Sequence, residues 1–107
     1  MSKYNALADQ AAFAVIHHES GGDPEALGPE IKFGANKGDR ARGLWQVMPV
    51  TAANPGFGVA PLQADTPEEF ERVGRDYWRA MVNRYDGDIE AAAVAYNAGP
   101  GNADRWV

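Results

Sequence analysis

The sequence predicts a mainly α, single-domain protein. Three observations carry this. Apolar residues recur at helical spacing in three separate stretches, each closed by a Gly or Gly-Pro stop signal. No stretch alternates apolar and polar residues for the length of a strand, and only Gly43–Val47 does so loosely. The chain of 107 residues suits one modest core and gives no linker, repeat or low-complexity tract.

The first helix is expected from about Asn5 to Ser20, with Ser2 or Asn5 as cap, and Gly21-Gly22-Asp23-Pro24 stops it. Ala8, Ala12, Val15 and Ile16 share one stripe of it, and Glu19 falls on the same stripe while His17 points away. A carboxyl group on an apolar face is disfavoured as an anion and its pKa rises, which suits a general acid. The alternative is that Glu19 merely ends the helix in solvent. Residues 25–42 read as an irregular loop, in which Lys32, Lys37, Arg40 and Arg42 outnumber Glu30 and Asp39. A solvated surface loop explains that basic patch better than contact with substrate carboxylates. Gly43–Val47 reads as a short extended segment or tight turn leading into a single helical turn at Val50–Ala53.

The second long helix has a strong start. Thr66 is the N-cap, Pro67 stands at the first position, and Thr66 with Glu69 has the pattern of a capping box. Phe70, Val73, Tyr77, Met81 and Tyr85 follow at helical spacing, and Asp86-Gly87 closes the element. Asp88 caps the third helix, whose face is Ile89, Ala92, Ala93 and Tyr96, and Gly99-Pro100-Gly101 breaks it. Asn102 is expected to cap a short fourth helix. The run Asp86–Glu90 resembles half of a calcium loop, but a helix junction accounts for it better.

Composition narrows the function. A formal charge of −5 argues against a nucleic-acid partner, and no apolar run approaches the length of a membrane span. With no cysteine, thiolate catalysis and cysteine metal sites are excluded. The N-terminal decapeptide lacks the apolar core of a secretory signal, which points to a chain that works without such export or to a piece of a longer protein.

Three segments place polar groups in apolar settings: Glu19-Ser20, Leu44–Pro49 and Ala95–Gly101. Together and in this order they resemble the signature of the soluble lytic transglycosylases, a family with a goose-type lysozyme-like fold. The match runs through Glu19-Ser20, Pro24 and Ala26. It continues with Gly43, Leu44, Gln46, Met48, Pro49, Thr51 and Ala52, then with every residue from Ala95 to Gly101 and with Trp106. It covers roughly residues 10–107, so residues 1–107 are read as one catalytic domain.

The resemblance implies a peptidoglycan lyase that cuts the β-1,4 bond between N-acetylmuramic acid and N-acetylglucosamine, without metal or cofactor. Glu19 is then the catalytic acid and base. Ser20, Gln46, Met48, Tyr96 and Asn97 are the substrate-binding or orienting residues, in a groove between the end of the first helix, the Gln46 segment and the end of the third. Tyr96 is expected to bring its hydroxyl towards Glu19. The partner is the glycan strand of peptidoglycan, with no nucleic acid and no membrane insertion, and the domain is expected to act as a monomer at the bacterial periplasm or cell wall. A phage virion or tail protein is the expected source, with a bacterial cell-wall enzyme as runner-up.

The residues agree with that chemistry. Ordinary glycosidases use two carboxylates, whereas no second acid accompanies Glu19 in a motif, and Asp23 is expected to serve its own turn. One carboxyl suffices if the substrate's own C6 hydroxyl is the nucleophile. A muramidase that delivers water and a non-catalytic glycan-binding module are the alternatives. Gly28 stands where many members have Ser, Gly22 where an aromatic is common, Trp45 where Met is frequent, and residues 29–40 read as an insertion.

Overall fold

The computed structural model describes residues 3–106. Among the described residues five helices follow one another: α1 Asn5–Ser20, α2 Pro49–Ala53, α3 Pro67–Arg84, α4 Ile89–Ala98 and α5 Pro100–Trp106. The mainly α reading holds. Among the described residues the β element reduces to two isolated antiparallel bridges, Leu27 with Arg42 and Arg42 with Val47. No helix among the described residues is long and apolar enough to cross a membrane.

Helix ends depart from expectation where tertiary contacts take over the capping role. Tyr4 precedes α1 with no side-chain cap. Ser2 lies outside the described residues, and Asn5 is the first helical residue, with Oδ1 accepting from Asn83 Nδ2. Left-handed Gly21 ends α1, its N–H returning to the His17 carbonyl. Thr66 accepts the Glu69 N–H as expected. The Glu69 carboxylate does not complete the box, because it is taken by the Gln63 N–H and by Arg72. Pro49 opens α2, one residue before the expected turn. Pro100 similarly opens α5, so Asn102 lies inside that helix and does not cap it. Asp88 caps α4 through the Ala91 N–H. Asp86 accepts from the Tyr4 hydroxyl, so the run between α3 and α4 serves as a helix junction.

The core forms where α3 meets α1 and α4. Phe70, Val73 and Met81 of the expected stripe are buried. Gly74, Trp78 and Val82 are buried with them, which widens the face beyond that stripe. Trp78 is wholly enclosed, and its Nε1 donates to the Ala8 carbonyl of α1 at 2.8 Å. Arg79 grips Asp9 with two nitrogens at 2.8 Å each, and the Tyr4 N–H donates to Asn83. These contacts fasten the first half of α1 to α3. One turn before Trp78, an added Cβ at Gly74 would overlap Trp45, so this glycine is the notch that admits the indole.

The basic loop is partly consumed by the fold. Arg42 pairs with Asp65 at 2.6 Å and lies over the Phe70 ring, and Arg40 donates to the Gly28 carbonyl. Asp23 accepts the Glu25 N–H, the turn role expected of it.

Candidate active site

The last turn of α1, the segment Gln46–Thr51 and the end of α4 enclose a cavity of about 320 Å³. Glu19, Gln46, Met48, Tyr96 and Asn97 all line it. Val47, Thr51, Tyr77, Ala95 and Gly99 complete the wall. Most of the residues singled out in the sequence therefore line one cavity.

Glu19 arrives there because its helical stripe is the buried one. Ala8 is fully enclosed, Ala12, Val15 and Ile16 pack against the core, and Glu19 continues the row. Its Oε2 is buried without a hydrogen-bond partner. Desolvation raises the Glu19 pKa, against a smaller opposing pull from His18. Its position one residue from the C-terminal end of α1 acts in the same direction, since the negative end of the helix dipole disfavours an anion. The acid form is thus favoured by burial, by missing partners and by helix polarity.

Tyr96 lines the cavity together with Glu19, near enough for the carboxylate charge to act on its phenol, and its hydroxyl donates to the Trp45 carbonyl at 2.6 Å. The ring is packed between Trp45, Tyr77 and Trp78 at centroid distances of about 6 Å. Burial raises the Tyr96 pKa well above the usual phenol value, with the nearby Glu19 charge adding to the effect, so the phenol stays neutral.

Gln46 is held in a left-handed conformation at φ 51°. Its Nε2 donates to the carbonyls of Ala26 and Gly43, which ties the turn to the loop beyond α1. The Gly43 departure from right-handed backbone, at φ 79°, makes the same turn possible. A Cβ at Gly28 would lie 3.0 Å from Gln46 Oε1 and 3.3 Å from Ala41 Cβ. Glycine at this position accordingly gives room to the Gln46 amide, a packing reason for its presence that the sequence alone did not reveal. Asn97 Nδ2 donates to the Ala93 carbonyl one turn back. Met48 is the extended residue that leads into α2.

Ser20 is not brought into the cavity wall. Its hydroxyl donates to the Ile16 carbonyl and accepts the Gly22 N–H, so it finishes α1 and fixes the turn that follows Glu19. Tyr77 was legible only as a member of the α3 stripe. Its phenol is the signal that could have marked it, because a polar tip on a core position needs somewhere to go. A second cavity of about 200 Å³ lies on the other side of Glu19, bounded by Val15, His18, Trp78, Ile89 and Ala93. His18 flanks the acid there, whereas His17 is exposed and stacks on Phe13.

Comparison with known proteins gives a consistent picture. Over 103 residues the chain is 30% identical to the soluble lytic murein transglycosylase of Escherichia coli (strain K12), covering 90% of this chain and 14% of that protein. It is 29% identical over 107 residues to the soluble lytic murein transglycosylase of Salmonella typhimurium (strain LT2), covering 94% of this chain and 15% of that one. The chain thus spans about a seventh of the length of these relatives. No solved structure matches it significantly. The family model for the transglycosylase SLT domain matches residues 1–107, so the cavity around Glu19 is built in a chain that belongs to the SLT transglycosylase domain family.

Proposed function

We propose that residues 1–107 are a catalytic domain that cleaves the β-1,4 bond between N-acetylmuramic acid and N-acetylglucosamine in peptidoglycan as a lytic transglycosylase. The observation that carries this reading is Glu19, whose carboxyl lines the cavity with Oε2 buried and unpartnered. Family membership supports the substrate class.

In the proposed reaction Glu19 donates its proton to the glycosidic oxygen as the C1–O bond breaks, and the N-acetylglucosamine hydroxyl leaves. The Glu19 carboxylate then takes the proton of the muramoyl C6 hydroxyl, whose oxygen closes onto C1. The acid is regenerated, no water is consumed, and the product carries a 1,6-anhydromuramoyl end. Ring closure within the substrate has the advantage of proximity over attack by water. Tyr96, Gln46 and Asn97 shape and orient the wall, and Met48, Val47 and Tyr77 give it apolar surface. Ser20 acts by holding the turn after Glu19. The setting of a virion or of a bacterial cell wall is a further proposal, tested by identifying the full open reading frame and its neighbours.

The test is mass analysis of muropeptides released from purified sacculi. Anhydromuramoyl ends, one water lighter than the hydrolysed form, are the expected product. Reducing muramoyl ends would instead make the protein a lysozyme. Failure of both, with retained binding to sacculi, would leave a glycan-binding module.

A further inference from the structure

The loop between α2 and α3 contains three consecutive left-handed residues, Gly56 at φ 70°, Phe57 at φ 55° and Gly58 at φ 77°. Glycine adopts this conformation freely, but a bulky side chain is strained in it. A loop that had only to turn would carry Gly or Asn at position 57. Such strain persists where surrounding contacts fix it, and it is characteristic of ligand clamps.

Phe57 is fixed from two sides. Its ring meets Tyr77 edge-on, with centroids 6.0 Å apart and planes at 79°. The Arg84 guanidinium lies 5.5 Å from its centroid and is itself held by Asp104 at 2.8 Å. Even so, Phe57 remains 49% exposed. An aromatic ring has thus been oriented at the surface without being buried.

The direction of this ring is informative. Tyr77 lines the Glu19 cavity, and its own ring stands 5.9 Å from Tyr96. Tyr96, Tyr77 and Phe57 therefore form a row that leads out of that cavity. Phe57 borders the next one, an open cleft of about 690 Å³ with Asp76, Asn83 and Asn5 on its walls. The Asn83 and Asn5 amides are spent on Tyr4, Arg79 and each other, so the Asp76 carboxylate and the Arg79 and Arg84 guanidinium edges are the polar groups beside the apolar ring, a mixture that suits a pyranose with its C–H faces and hydroxyl edges.

We infer that Phe57 is a sugar-stacking residue that carries a β-1,4-linked N-acetylhexosamine chain from the Glu19 cavity into this neighbouring cleft. The inference rests on the glycan-cleaving reading of the Glu19 site. It gives the protein a hold on the strand beyond the sugars that flank the cut bond.

Binding tests it independently of turnover. The protein is titrated by calorimetry with soluble β-1,4-linked N-acetylglucosamine oligomers, from the disaccharide to the hexasaccharide. Affinity is expected to rise by up to about tenfold at the length that first reaches Phe57, the gain an aromatic contact supplies. Phe57→Leu keeps apolar bulk but has no ring face, and is expected to lose that step. Phe57→Trp is expected to keep or enlarge it. A Phe57→Leu protein with the full step, or a parent protein whose affinity does not grow with length, overturns the inference. Length-dependent binding lost in Phe57→Leu, with no cleavage of sacculi, would sustain the inference and remove the proposed activity.

Discussion

At the scale of the residue, the acid is set apart by what surrounds it. The Tyr96 hydroxyl, the Gln46 Nε2 and the Asn97 Nδ2 already donate to backbone carbonyls, while Glu19 Oε2 has no partner. On the proposed mechanism, removing this carboxyl is therefore decisive. Glu19→Gln is expected to lower muropeptide release by about 100- to 10,000-fold, the usual worth of general acid catalysis. The same carboxyl predicts a pH dependence. Its pKa is raised in the fold, so its contribution to stability is complete below the ordinary carboxylate value and is lost as pH rises through the raised one. Melting temperatures of parent and Glu19→Gln should consequently diverge with increasing pH, the variant being the more stable at neutral pH. Cleavage by the parent should fall over the same interval as the acid form disappears. The stripe that buries Glu19 was legible in the sequence because helical periodicity fixes which residues share a face. The Trp45 carbonyl as partner of Tyr96 was not, because backbone groups leave no trace in side-chain pattern.

At the scale of the element, the signals that held were local and the ones that failed were contested by distant groups. Thr66 and Asp88 cap α3 and α4 as their positions predict. Thr66→Ala should cost about 0.5–2 kcal/mol, read as a lower denaturant midpoint. Glu69 has the right spacing for a reciprocal cap, yet Arg72 and the Gln63 N–H compete for its carboxylate and win. The α3 face was legible only in part. Phe70, Val73 and Met81 mark one stripe, but Gly74 and Trp78 are buried because Trp45 and α1 come from elsewhere in the chain. Gly74→Ala pushes a methyl group into Trp45. Overpacking of this kind costs about 1–3 kcal/mol, and thermal unfolding should report it. Displacing Trp45 also displaces the carbonyl that holds Tyr96, so cleavage should decline even where the variant remains folded.

At the scale of the whole molecule, the mainly α architecture follows from a few helical stretches and their stop signals, and those were plain in the sequence. The way the helices are joined was not, because it depends on contacts spanning most of the chain. Trp78 bonds to Ala8, Arg79 to Asp9 and Asn83 to Tyr4 and Asn5. Trp78→Phe removes the indole donor, while the Ala8 carbonyl keeps its helical partner, for a loss of about 0.5–1.5 kcal/mol from the hydrogen bond, measurable by chemical denaturation. All these fastenings lie in the first half of α1, and Glu19 lies at its far end. The helix is clamped by polar contacts near its base, and further along it is held by the apolar packing of Ala12, Val15 and Ile16. About 16 Å of helix separates Ala8 from Glu19, so a tilt of only about 4° at the clamp swings the carboxyl by about 1 Å, enough to cost roughly a hundredfold in rate. On the proposed mechanism Asp9 and Arg79, remote from the cavity, thereby help to set where the Glu19 carboxyl stands.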